Sequence, residues 1–234
     1  MQSQIYHITS AILKDKSYVQ LMRLDTRNCY YWSDDWSEEF YIELARAGFI
    51  STTHGTKDGL VLLPELQYDY AVLDFDKLHL SKKVKKLMHE NSYEICINSR
   101  FNEVLERFSN QHKYNWLKAE YAELLKNLHA SNDETRNFKI ISFELVCQKS
   151  GELIAGEVGY IIGKTYTSLS GFSSREKKYA NYGTLQLVLL ANYLKNNDFE
   201  FWNLGHPHME YKQRLGCVTH SRLEFLTRWD KAVQ

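Results

Sequence analysis

FKIISFELVCQKSGELIAGEVGYIIGKTYTSLSGFSSREKKYANYGTLQLVLLANYLKNNDFEFWNL, residues 138–204, decides the fold of this 234-residue chain. FKIISFELVC is β-branched and aromatic, QKSG supplies a turn, and ELIAGEVGYIIGKTYTSL returns as the second arm of a hairpin. A polar loop with Gly171 and Arg175 follows, then an amphipathic helix from about Tyr182 to Lys195, then a buried strand from Phe199 to Leu204. Hairpin, basic loop, helix and strand in this order set a loop and a helix N-terminus against a ligand at the strand ends. The functional site is expected here. Arg175, Lys177 and Lys178, with backbone amides near Gly183 and Thr184, suit an anion at that helix N-terminus. A plain basic surface loop is the alternative reading.

Upstream of this stretch, Trp116 to His129 reads as a helix burying Leu117, Tyr121, Leu124, Leu125 and Leu128. YEICIN (93–98) alternates as a strand, and Ser99 is the expected cap of RFNEVLERF. Ser81 caps SKKVKKLMHEN, whose apolar stripe is Val84, Leu87 and Met88. Lys82, Lys83, Lys85 and Lys86 cover the rest of that helix, either as solvated surface or as contacts for a phosphate backbone. GLVLL (59–63) and YAVLDF (70–75) read as strands, and STTHGTKDG (51–59) as a polar loop. Ser37 to Ala47 reads as a helix ending at Gly48, with Ser33, Asp34 or Asp35 as its cap. Tyr18 to Met22 suits a short strand or an arm. Downstream of the central stretch, Pro207 suits a helical first turn. The pattern implies a small N-terminal α+β domain, residues 1–92, and a larger domain, residues 93–234, packed closely with no linker composition between them.

Lysine plus arginine and aspartate plus glutamate both number 29, so the formal charge is zero and nothing overall marks a dedicated nucleic-acid binder. A local basic patch is still compatible with that balance. Four cysteines, far apart and without a CxxC pair, argue against a zinc knuckle; Cys96 and Cys147 lie in apolar runs and are expected as buried thiols. MQSQIYHITS has no apolar signal core and no stretch reaches transmembrane length, so a cytoplasmic location and no membrane partner are expected. His206 and His208 flank Pro207 without an obvious third ligand, so no metal is expected. LSGFSS is not GxSxG, and no Ser–His–acid order stands out. Arg214 near Cys217 would lower that thiol's pKa, although structural burial is the simpler role.

Several stretches in order resemble the leucyl/phenylalanyl-tRNA–protein transferases. WSDDWSEEFYIELARAGFI is similar to that family's helix ending in "RGIFPW", with Ala47, Gly48, Phe49 and Ile50 in the closing positions. DFDKLHLSKKVKKLM is similar to its "P-x-x-L-H-I-S-R-S-M-K-R" segment, the most specific local match. YEICINSRFNEVLERFS resembles "Y-x-V-x-x-N-x-x-F-x-x-V-I", and Trp116 with Leu128-His129 brackets the next helix. SFELVCQKSGELIAGEVGYIIGKTYTSLSGFSSR resembles "HSIEVW…LVGGLYGVALG…ESMFSR". In the tail, Arg214-Leu215-Gly216-Cys217 stands for "SLGA". Where the family carries a glutamate in "GESMFSR" this chain has Leu169; for the Asp and Gln of "D-x-Q" it has Asn203 and Gly205; for a late histidine it has Tyr211. The "WWSP" stretch is represented by LLPELQYDYAV.

The resemblance implies an α+β fold: a GNAT-like C-terminal domain behind a smaller N-terminal domain. It implies an enzyme moving an amino acid from aminoacyl-tRNA, a co-substrate rather than a bound cofactor, to a protein or peptide N-terminal amine, marking it for degradation. On that reading Asn203 is the catalytic position. Ser170, Phe172, Trp202 and Trp116 line the substrate pocket, and Lys82, Lys83, Lys85, Lys86, Arg175 and Lys178 touch the tRNA backbone. Core packing is the plain alternative for Phe172 and Trp202. Asn203 hydrogen-bonds but is no base at neutral pH, and positioning an activated ester beside an amine supplies much of the acceleration. Glu157, Glu144 and Asp198 are the nearest carboxylates along the chain. Two other functions fit the same fold: an acyl-CoA-dependent N-acyltransferase, and a non-catalytic homologue.

Overall fold

The computed structural model describes residues 5–111, 116–132 and 134–234. Residues 1–4 of the N-terminal segment and Asp133 of the polar loop lie outside them. The chain opens with β1 (Tyr6–His7), α1 (Ser10–Lys14), α2 (Lys16–Leu24), β2 (Tyr31–Trp32) and α3 (Glu38–Arg46). Next come β3 (Ile50–Thr56), β4 (Gly59–Glu65), β5 (Asp69–Leu73), α4 (Lys82–Glu90), β6 (Tyr93–Ile97), α5 (Phe101–Gln111) and α6 (Ala119–Ala130). The rest is β7 (Phe138–Cys147), β8 (Leu153–Ile162), β9 (Thr165–Ser173), α7 (Tyr182–Asn196), β10 (Phe201–Asn203), α8 (Glu210–Leu215), β11 (Val218–Ser221) and α9 (Arg222–Ala232).

Four local expectations change. Tyr18 to Met22 is helical within α2, because the Asp15 carboxylate accepts from the amides of Ser17 and Tyr18 and starts the turn. The stretch 51–59 is largely strand β3, paired with β4 from Ile50↔Glu65 to Thr56↔Gly59; its threonines suit a pleated, half-exposed surface. The cap of α3 is Ser37, whose Oγ accepts from the Phe40 amide. Ser81 does cap α4, whereas Ser99 donates to the Ile97 carbonyl and Glu144 accepts the Arg100 amide ahead of α5.

A seven-stranded mixed sheet, in the order β11-β5-β10-β9-β8-β7-β6, forms the centre. Both of its faces are covered, so β7 and β8 are apolar almost without interruption. On one face Ile140, Val158 and Tyr160 meet side chains of α3, α5, α6 and α9, among them Phe40, Val104, Leu125 and Trp229. On the other, Ile141, Phe143 and Trp202 meet α4 and α7 through Val84, Leu185 and Val188. Each such side chain contributes about 1.5–3 kcal/mol on full burial. The expected boundary at residue 92 falls between α4 and β6. β5, which precedes it, is an interior strand flanked by β11 and β10, and one core cluster runs from Ile8 to Ala232.

The second arm of the hairpin is two strands. Gly163, at φ +53, turns the chain between β8 and β9, and a Cβ there would lie 2.2 Å from the Ala232 carbonyl oxygen. β9 and β10 then run parallel, joined through α7, and pair only from Thr165↔Phe201 to Thr167↔Asn203. β10 stops at that point while β9 continues to Ser173, so the sheet splits. On its other side β9 slips by one residue: Val158 faces Ser170 but Gly159 faces Ser168, which leaves Leu169 as the extra residue of a bulge.

Candidate active site

A cleft of about 610 Å³ opens at this split. Glu157, Ser168 and Ser170 come to it from β8 and β9, and Gly183, Thr184 and Gln186 from the first two turns of α7. Leu204, Tyr211 and Lys212 close the third side, with the exposed Arg175 and Lys177 also lining it. Asn181, at the N-cap of α7, makes no side-chain capping bond, so it leaves the first amides of the helix to the cleft.

Glu157 is the chemical centre. It is 4% exposed, and alternation along β8 turns it away from Val158 toward the α7 face. Trp202 Nε1 donates to Ser168 Oγ (2.7 Å), which in turn donates to Glu157 Oε1 (2.5 Å). Burial raises the carboxyl to about 7, because the charged form loses its hydration; Ser168, Tyr166 and Lys212 only partly offset that. Gly159 is what admits Tyr166 here, since a Cβ would meet the ring's hydroxyl end at 2.4 Å. Lys212 is shifted in the opposite sense, down to about 8, again mainly by burial. Its Nζ donates to the carbonyls of Leu204 (2.5 Å) and His206 (2.6 Å), pinning the chain beyond β10. A carboxyl that titrates near neutrality inside a cleft accepts and returns a proton under ordinary conditions.

Ser170 and Phe172 line the cleft, and Phe172 also belongs to the core. Asn203, expected as the catalytic group, does not line it. Its Oδ1 accepts from the Gly205 amide (2.9 Å) and its Nδ2 donates to Thr167 Oγ1 (3.3 Å), so it shapes the turn after β10. Trp202 is fully buried and acts on the cleft only through Ser168. Trp116 packs on Phe108 and Tyr121, on the sheet's other face. Of the carboxylates, Glu144 is directed at α5, where it accepts from Ser142 Oγ and the Arg100 amide, and Asp198 is exposed after α7. Lys82, Lys83, Lys85 and Lys86 are exposed on α4, which packs against α7. Lys178 does not line the cleft and is paired with Glu176 (3.0 Å) and Glu152 (3.4 Å).

Cys217 is pushed up to about 12 by burial, and the cation that opposes this is Lys212, not Arg214, which pairs with Glu210. Cys96 and Cys147 are half-buried rather than buried. His206 bonds Glu65 at 3.0 Å, and among the described residues no group of three or more His, Cys, Asp or Glu is placed to hold a metal. Glu157 had a signal in the sequence: it is the lone charge inside the apolar run LIAGEVGYII. Alternation alone does not say that its side of the strand meets a cleft.

A split pair of parallel strands, with a bulge, a basic loop and an uncapped helix N-terminus at the split, defines a GNAT-like α+β fold. The solved structure of FemX shares it with a TM-score of 0.50 at 10% identity, covering 94% of this chain and 80% of that one. Residues 72–230 match the family described as leucyl/phenylalanyl-tRNA protein transferase, and the chain belongs to that family. A relative from Maridesulfovibrio salexigens, named leucyl/phenylalanyl-tRNA–protein transferase, is 27% identical over 167 residues, 70% of this chain and 65% of that protein. One from Psychrobacter arcticus with the same name is 28% identical over 162 residues, 65% of this chain and 55% of that protein. The matched span therefore covers less than two thirds of either relative. No helix among the described residues is long and apolar enough to cross a membrane.

Proposed function

We propose that this chain is an aminoacyltransferase that moves an amino acid from the terminal ribose of aminoacyl-tRNA to the N-terminal amine of a protein or peptide. The observation that carries the reading is Glu157, a buried carboxyl titrating near neutrality in the cleft of a fold shared with this family. The amine nitrogen attacks the ester carbonyl, the new N–C bond forms, and the C–O bond to the ribose breaks. Glu157 takes the proton the amine must lose and returns it to the departing ribose hydroxyl, so ester and amine become amide and alcohol with no net proton change. Asn203 need not be a base. A carboxyl placed by Ser168 does what its amide cannot, which weighs against a non-catalytic role. Arg175 and Lys177 beside the cleft, and the α4 lysines outside it, supply cations for a polyanionic substrate.

The test is direct. Purified protein is incubated with tRNA charged with each labelled amino acid and an acceptor peptide, and label in the peptide is counted. Transfer is expected, weakening steeply with salt. The reading is wrong if no label moves and charged tRNA does not bind at low salt. A second reading, acyl-CoA-dependent N-acylation, is favoured by the uncapped α7 N-terminus at a parallel-strand split. A thermal shift with acetyl-CoA but none with aminoacyl-tRNA analogues selects it.

A further inference from the structure

The cleft contains a buried polar group that the transfer step does not use. Gln186, in the second turn of α7, is 3% exposed and lines the cleft, yet its Nε2 has no hydrogen-bond partner among the described residues. A buried amide donor left unpaired is costly, and an apolar side chain seated beside it would keep it unpaired. The surroundings extend the argument. Leu187, on α7 beside Gln186, also lines the cleft and offers apolar surface for a short aliphatic stem. A carboxylate side chain would meet like charge at Glu157, also in the lining.

We propose that the aminoacyl group seated in this cleft has a neutral, hydrogen-bonding side chain, a carboxamide or hydroxyl, recognised by Gln186. The inference rests on the transfer reading above and replaces the leucyl or phenylalanyl group of the relatives' name with a polar one. A carboxamide is the best match, because it offers both a donor and an acceptor and so satisfies the Gln186 amide in either orientation. Sites built to hydrogen-bond a substrate group reject the analogue lacking it far more strongly than apolar pockets reject an extra group.

The experiment compares two non-hydrolysable probes, 3′-(asparaginyl)amino-3′-deoxyadenosine and its leucyl counterpart, by calorimetric titration, alongside transfer from asparaginyl- and leucyl-tRNA. Wild type is expected to bind the asparaginyl probe at least roughly tenfold more tightly. Gln186→Leu, or the isosteric Gln186→Met should the first fold poorly, is expected to erase or invert that ratio. A leucyl preference in the wild type, equal binding, no binding of either probe, or a ratio unmoved by both variants overturns the assignment. Transfer of leucine with no asparagine overturns it while leaving the transfer reading intact. Asparaginyl-selective binding without transfer from any charged tRNA supports the side-chain assignment and sinks the transfer reading.

Discussion

Glu157 is held between opposing effects whose sizes decide its role. Burial pushes its pKa from the ordinary 4.5 to about 7, and the bonds and charges that favour the anion do not bring it back. A folded carboxyl with a raised pKa stabilises the protein below its unfolded pKa, and that stability is lost as pH rises through the folded value. Urea unfolding at stepped pH is therefore expected to show a loss of up to roughly 3 kcal/mol between pH about 4.5 and about 7. Glu157→Gln should flatten that dependence and lower kcat/KM by roughly 10²–10⁴, with loss of the rising limb near pH 7; an unchanged pH–rate profile would remove Glu157 from the chemistry. Asn203 belongs to a different class of residue. Asn203→Ala leaves the Gly205 amide unpaired, so it should cost about 1–3 kcal/mol in stability while leaving the form of the pH–rate profile intact. That pair of outcomes assigns structure to Asn203 and proton transfer to Glu157.

Among elements, β9 does most to build the cleft. It pairs with β8 through a bulge at Leu169 and with β10 over only its first residues. Deleting Leu169 would restore a regular ladder and remove the local bend that the bulge puts into β9 beside the cleft. Transfer should be lost while the circular-dichroism spectrum stays mixed α/β; retained activity would show that the bulge is dispensable. The turn that creates β9 is as exacting. At Gly163 a Cβ would strike the end of α9, and φ is +53, so Gly163→Ala should destabilise by about 1–3 kcal/mol in urea unfolding. The hairpin, α7 and the late strand were legible from periodicity and turn residues. The break at Gly163 was not, because β-branched and aromatic strand formers lie on both sides of it and both sheet faces are buried. β3 was hidden differently: its polar, threonine-rich residues suit an exposed hairpin, and the same composition suits a loop.

Across the whole molecule, Arg222 ties the two ends of the chain together. It is 2% exposed, and its guanidinium donates to the carbonyls of Asp25, Asn28, Leu66 and Gln67. Lysine cannot reproduce that fork, so Arg222→Lys should cost roughly 2–5 kcal/mol, read as a lower melting temperature. Electrostatics also act at this scale. The net charge is zero, yet α4 presents Lys82, Lys83, Lys85 and Lys86 to solvent. If these touch tRNA, replacing all four with glutamine should weaken binding uniformly across charged tRNAs and reduce the slope of log K against log salt by roughly 3. An unchanged slope would mean that the lysines are ordinary solvated surface.

The α+β class, the family and the stretch that carries the cleft followed from the sequence by itself, because periodicity, turn residues and local motifs are properties of neighbours along the chain. The residues that meet in the cleft were decided only by the tertiary structure. Glu157 and Gln186 lie 29 positions apart on different elements, and whether either is buried, partnered or open to a ligand depends on where β10 stops beside β9. Asn203 shows the same limit from the other side. It lies on the late strand, where the resemblance made it the catalytic position, and both ends of its amide are engaged, by the Gly205 amide and by Thr167. Burial and hydrogen-bond saturation, which set pKa and availability, arise from contacts between distant residues, and no local pattern encodes them.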